Sequence, residues 1–573
     1  MKNPLSSAQF ARLNESIKWS ERQLEFPKAE RISAIKEVSG YHYATGGNPK
    51  RVIVPMLGLA VQIFIRQLAA QSPRAMVRTK FDSLKAIAAN MELAVNQIPD
   101  EINLSATLRR FVMEALFSMG IVRVGLTTVA ETLGHEYGQQ FVDVIPLDNY
   151  FLDMSAKDMD SIQYEGNQYW MDYDDLMKGQ WLDEAVKSEL SPDEHTTIGL
   201  AGETRAESVS IDGSATQYRD NVWMRDIWLP KEGVVLTEHA VTNKLLKVVE
   251  WTGPKEGCYI KLGYNYLPGQ LLPLAPVSTW RDLHELSNDI FRQMGHDARA
   301  QKTVLAFNGS DETGVMNFQK STSGDGIKYV GAEPKELSAG GVNAKSLAFY
   351  LQCKDLFSYY AGNLDSIGGL GQQAPTLGQD KLLSAAAGAQ MQDMADVTAK
   401  TIRKIFYHLA FYEWSDPVKQ RMLKKPIPGT DETIDVSFGP QEKQGEFNQY
   451  DLDIDVYSLP DNSPSTMLQK LSAIMQTYIL PLGPMIQQEG GVVGVQKILE
   501  MVAKYANFPE LKDVVTFAEQ LTPIAPGGAA QPSAGMPAQT NRTYTRVGQP
   551  GMSSEGSTAA ITQQLLSGDG GSE

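Results

Sequence analysis

NLDSIGGLGQQAPTLGQ, residues 363–379, carries Gly368, Gly369, Gly371 and Gly378 together with Pro375, a composition that no regular element accommodates. It reads as a loop, and the sequence on either side of it decides the fold. Upstream, 343–360 places Leu347, Tyr350, Leu351, Leu356 and Tyr360 mostly at helical spacing. Downstream, 380–414 repeats apolar residues at Leu383, Ala387, Met391, Met394, Thr398, Ile402, Ile405, Leu409 and Tyr412. Steps of three and four over that length predict one long helix packed along a single stripe.

Working outward, Trp280, Leu283, Leu286, Ile290 and Met294 keep the same spacing and predict a helix over 277–301. Between it and the helix at 343 lies a segment rich in Gly, Ser, Lys and Glu. Short apolar runs at 304–307 and 327–330 predict a small insert of two or three strands there. The first half alternates helical and strand patterns. Helices are expected over 7–37 (with Phe10, Leu13, Ile17 and Leu24 on one side), from Val52, over 78–96 and over 105–117. Strands are expected at 121–127, 141–145, 149–152, 222–229, 245–251, 258–264 and 271–274. Beyond the long helix, strands are expected at 433–439 and 451–457, and helices at 465–478 and 492–505. From Thr522, Gly, Ala, Ser, Pro, Gln and Thr dominate, too little apolar surface to offset ordering entropy, so a disordered tail is expected. The fold class is α+β, mainly helical.

The 573 residues exceed what one core organises, and 42% hydrophobic with 21% charged residues describes a chain that folds in water. A net charge of −16 argues against tight nucleic-acid binding, which needs clustered Lys and Arg, but allows a surface that DNA passes without sticking. Two distant cysteines, Cys258 and Cys353, exclude a four-thiolate metal site. The most apolar segment, 52–70, is interrupted by Gln62 and Arg66 and reads as a buried helix, so no membrane span is expected.

Motifs for chemistry fail one by one. The Gly368–Gly371 run lacks the lysine and hydroxyl of a phosphate-binding loop. A calcium loop starting at Asp172 fails at Leu176 and Met177, leaving Asp172, Asp174 and Asp175 as an acidic helix start. Asp451, Asp453 and Asp455 alternate with apolar residues, as in a half-buried strand with an acidic solvent face. The seven histidines contain no H-x-x-x-H pair, and G-x-S-x-G is absent. No catalytic residue, cofactor or metal is expected. The aromatic clusters Tyr164, Tyr169, Trp170, Tyr173, Trp181 and Tyr218, Trp223, Trp228 lack interleaved Arg and Lys, and read as core or subunit-interface anchors rather than base-stacking platforms.

The order helix, strand-rich insert, helix, Gly-rich loop, long helix resembles the portal proteins of tailed double-stranded DNA bacteriophages. So do four phrases: FVDVIPLDNYFLD (141–153), RDIWLP (225–230), LPGQLLPLAPVSTWRDLHELSNDIFRQ (267–293) and YYAGNLDSIGGLGQQAPTLGQDKLLSAAAGAQ (359–390). The resemblance is one of arrangement over residues 10–520. It implies a wing (1–276), a first stem helix (277–302), a clip (303–342), a second stem helix (343–362), a tunnel loop (363–379), a long helix returning to the wing (380–464), a helical crown (465–521) and the tail (522–573). It further implies a homo-oligomeric ring, a dodecamer as a rule, at one capsid vertex of the virion, assembled in the host cytoplasm. DNA would pass along its channel without sequence-specific binding. The packaging motor (terminase) and then adaptor or tail proteins would dock on it. By the same resemblance Asp365, Gly368, Gly369, Leu370, Gly371, Gln372, Gln373, Asp380 and Lys381 would face the DNA. Trp280, Leu283, Leu286, Ile290, Met294, Leu347, Leu351, Met394, Ile402, Ile405 and Leu409 would pack the stem and the oligomer. The alternative is another virion component, a head–tail adaptor or minor capsid protein.

Overall fold

The computed structural model describes residues 4–39, 53–69, 73–127, 138–179, 182–193, 220–306, 309, 312–326, 328, 335–362, 364, 377–426 and 433–455. The chain divides into two compact units, Met1–Met467 and Leu468–Glu573, and every described residue lies in the first. The expected crown and tail, the polar turn at 46–50, and Trp181 and Tyr218 lie outside the described residues.

The chain opens with a 33-residue helix, α1 (Ser7–Ser39), followed by α2 (Met56–Leu68), strand β1 (Arg74–Thr79), α3 (Lys85–Glu101) and α4 (Leu104–Phe117). Arg78 and Thr79, expected in a helix, belong to β1 instead. Their strand pairs antiparallel with β14 (Tyr450–Asp455), a partner in the far half of the chain that no local pattern reveals. Strands β2 (Gly120–Leu126), β3 (Gln140–Val144) and β9 (Tyr259–Leu262) form one antiparallel sheet in the order β3-β2-β9. Strands β4 (Tyr150–Leu152), β5 (Glu165–Asp172), β6 (Asn221–Leu229), β7 (Val234–His239) and β8 (Lys244–Glu250) form a five-stranded meander. Short helices α5 (Tyr173–Lys178) and α6 (Glu184–Lys187) lie between β5 and β6 in sequence. Asp172 caps α5, its Oδ1 accepting from the backbone N of Asp174 at 2.9 Å and of Asp175 at 3.2 Å, so the acidic helix start is as expected. Residues 271–274 do not form the expected strand. Pro273 has no N–H for a ladder, and a single bridge, Asn265 to Leu274, remains.

Two main apolar cores result among the described residues, beside a minor third around Leu176, Val222 and Met224. The larger gathers α2, α3, α4, strands β2 and β9 and the described half of the long helix. The smaller is built on the five-stranded sheet and the first half of α1, around Ile17, Leu24, Tyr150, Phe151 and Ile227. Between the two sheets runs a polar seam. Arg123 on β2 donates to Asp226 on β6 at 2.7 Å, Tyr259 on β9 donates to Asn167 on β5 at 2.6 Å, and Lys261 donates to Glu165 at 2.7 Å. The aromatic residues expected as anchors are core here: Tyr164, Trp223 and Trp228 are buried, and the rings of Trp170 and Trp223 lie 4.5 Å apart.

The remaining elements are α7 (Pro276–Ala300), β10 (Lys302–Ala306), α8 (Glu312–Lys320), β11 (Lys335–Ala339), α9 (Ala344–Tyr360), α10 (Leu377–Ser415), β12 (Arg421–Pro426) and β13 (Thr433–Phe438). The insert is therefore two strands around a helix rather than strands alone. Glu312 in the first turn of α8 and Lys320 in its last complement the helix dipole. The run 327–330 falls mostly outside the described residues. At the end of α10, Arg421 donates from Nε to Glu413 at 2.8 Å and pairs with Glu101 on α3, fastening the helix terminus to the body.

Candidate functional site

Residues 276–306 and 335–360 build one antiparallel arm. The aromatic contacts of His284 with Phe357 and of Phe291 with Tyr350 join α7 to α9, and the same pairing continues into the strands, Lys302 opposite Ala339 and Ala306 opposite Lys335. Helix passes to strand on both sides at the same level, so the arm is a single continuous hairpin. Asn343 starts α9 by accepting from the backbone N of Lys345 at 3.0 Å.

Along α9 the seam that meets α7 is Tyr350, Cys353 and Phe357, the last two almost fully buried. Phe349, Leu356 and Tyr360 stand 50%, 40% and 60% exposed, and Leu347 and Leu351 are 46% and 48% exposed. At about 100° per residue, the first set lies roughly 70° to one side of the seam and the second roughly 110° to the other. Both flanks of the helix therefore present apolar side chains to solvent. The strands continue the pattern, since Val304 and Leu337 face each other across the ladder and both are more than half exposed. Twelve of the 26 exposed large apolar side chains among the described residues fall between Leu286 and Tyr360, a concentration that single scattered residues do not give.

The expected stem residues divide accordingly. Trp280, Met294, Met394, Ile402, Ile405 and Leu409 are buried within the chain itself, and Leu283 packs partly against the larger core. Leu286, Leu347 and Leu351 are exposed, and Ile290 is half-buried. On α7 the expected apolar stripe is only half of the buried face. His284, Ser287 and Asn288 are buried there as well: Glu37 on α1 lies 3.4 Å from His284, the Val54 backbone donates to Asn288, and Ser287 donates to the Leu283 carbonyl of its own helix at 2.7 Å. No protein-family model matches the chain, and no curated protein is similar to it.

The channel-loop residues Asp365, Gly368, Gly369, Leu370, Gly371, Gln372 and Gln373 lie outside the described residues. Leu364, just before them, is buried in the larger core. The long helix begins at Leu377, three residues earlier than expected, so Asp380 and Lys381 stand on its first turns; their side chains are not among those described. Among the described residues no three His, Cys, Asp or Glu side chains are grouped to hold a metal ion, and no helix is long and apolar enough to cross a membrane. Burial pushes the Cys258 thiol up to about 12, which makes it a poor nucleophile at neutral pH.

Sequence reasoning missed the polar partners that fix these elements. The Arg421 clamp joins positions more than 300 residues apart, and Asn288 bonds a backbone 234 residues away. Neither has a local spacing signal.

Proposed function

We propose that this chain is a portal-type subunit: a non-enzymatic protein that closes into a ring around a channel for double-stranded DNA and serves as a docking platform at a capsid vertex. The arm carries this reading. A continuous helix–strand hairpin with apolar residues on both flanks suits a heterologous interface, in which one flank meets the next subunit's opposite flank and the ring closes. A C2 dimer would use one self-complementary patch and leave the second flank exposed.

In that reading α7 and α9 are the stem, β10, α8 and β11 the clip, and 363–376 the loop nearest the DNA. The net negative charge suits a conduit, because few basic groups means little counterion release and little friction on the duplex. Gly368, Gly369 and Gly371 would let the loop follow the passing helical surface. Electron microscopy of the purified chain tests the reading. Rings with an axial channel are expected, and a strictly monomeric particle overturns it. Replacing Gly368, Gly369 and Gly371 with alanine should leave rings intact and impair DNA packaging; loss of rings would mean the loop is a folding element.

A further inference from the structure

Where α7 meets the body, its buried face is polar. Asn288 is fully buried, and its Oδ1 accepts from the backbone N of Val54 at 2.7 Å while Nδ2 donates back to the Val54 carbonyl at 3.4 Å and to the His284 carbonyl at 3.0 Å. One turn earlier, His284 is 1% exposed with Nε2 3.4 Å from the buried carboxylate of Glu37 on α1. One turn earlier again, Arg281 donates to Glu30 on α1 at 3.0 Å. Three side chains on one face of α7, at 281, 284 and 288, thus meet three fixed partners: two α1 carboxylates and the main chain just ahead of α2.

Apolar contacts carry no direction of their own and fix a helix's rotation only through the shapes that meet. A hydrogen bond to a main-chain N–H and a contact with a buried carboxylate do carry one, since a turn by one residue, about 100°, takes Asn288 away from the part-buried Val54 main chain and His284 away from the buried Glu37 carboxylate, while Arg281 leaves the more exposed Glu30. From this, and resting on the ring reading above, we infer that Arg281, His284 and Asn288 are positioning residues for assembly. They fix the rotational setting of the arm so that its two apolar flanks point at the two neighbouring subunits. The angle between the flanks and the body sets the angle between subunits, and therefore the number that closes a ring. The latch sets ring size, while the flanks supply the adhesion.

Native mass spectrometry of the full chain tests this against His284→Phe/Asn288→Ala. Phenylalanine keeps the ring packing on Phe357, and alanine removes the main-chain clamp. The variant should lose its single ring size and show two or more classes separated by one subunit mass, 63.1 kDa. A control is needed for stability alone. Ile405→Val, or Ile405→Ala if the melting temperature of the double variant is lower, perturbs the long helix away from the latch and should keep one ring size. Should the double variant not fold, Glu37→Gln removes the carboxylate charge with little change of shape and should broaden the distribution in the same direction. Rings of one unchanged size in all latch variants, or equal broadening in the control, overturn the inference and leave the ring reading standing. A wild-type chain that stays monomeric overturns both.

Discussion

Helices α9 and α10 both carry apolar residues at helical spacing, more regularly in α10, and use them in opposite ways. In the described half of α10, Ile402, Ile405 and Leu409 are fully buried and Met394 nearly so, packed against α2, α3 and the strands of the larger core. In α9, Cys353 and Phe357 alone among the apolar side chains reach that degree of burial, while Leu347, Phe349, Leu351 and Leu356 remain 40–50% exposed. Periodicity shows that a helix has an apolar face; it does not show whether the partner is the same chain. The difference separates a helix packed within the chain from one that leaves apolar side chains at the surface.

Charges on the arm break the comparison most directly. Leu351→Asp with Leu356→Asp places a carboxylate on each flank of α9 and should convert rings into monomers at every accessible protein concentration, as read by light scattering. The melting temperature of the monomer should stay near that of the parent, because both positions are already in contact with water. Rings that persist would mean that α9 faces solvent in the assembly.

The converse holds on α10. Ile405→Ala empties a fully buried site and should cost about 2–5 kcal/mol of unfolding free energy, measured by denaturant titration. The amount of ring should follow the surviving folded fraction, and its size should not change. A loss below about 1 kcal/mol would mean that the long helix is less tightly packed than its burial indicates.

His408, on the same helix, sharpens the contrast through pH. It is fully buried, neither ring nitrogen has a hydrogen-bond partner, and desolvation, with Lys404 adding to it, lowers its pKa from 6.5 to about 4. Between those values the unfolded chain binds a proton that the folded chain does not. Its contribution is therefore complete above pH 6.5 and lost as pH falls toward 4, by roughly 3 kcal/mol over the whole interval. His408→Leu should remove that slope, so the stability difference between variant and parent should widen in the variant's favour from about pH 7 to about pH 4.5. Parallel curves would place the imidazole in water.

The main helices were legible because each is specified by its own residues. The spacing through Trp280 and Met294, through Leu347 and Leu356, and through Met394 and Leu409 marks α7, α9 and α10 nearly to their ends. What was not legible depends on distant partners. Strand β1 exists because Arg74–Thr79 finds β14, and β12 because it pairs with β13. Likewise His284 and Asn288 sit on a buried face because Glu37 and Val54 meet them there. The arm's flanks fall between the two cases. Their residues were picked out by spacing, but their exposure follows from the narrow seam with α7, which runs along Tyr350, Cys353 and Phe357.

The smallest effect is the most discriminating. Leu347→Ala with Leu351→Ala removes two large apolar side chains from a helix, and in a core such a pair would cost several kcal/mol. Here both side chains are nearly half exposed, so the monomer should change by no more than about 0.5 kcal/mol per site, with alanine's higher helix propensity offsetting part of that. Subunit association, by contrast, should weaken at least roughly tenfold, because the apolar area removed is the area one flank presents to a neighbour. A change in association without a change in folding stability is what an intersubunit residue produces. A change in folding stability without one would return Leu347 and Leu351 to the chain's own core and remove the distinction between α9 and α10.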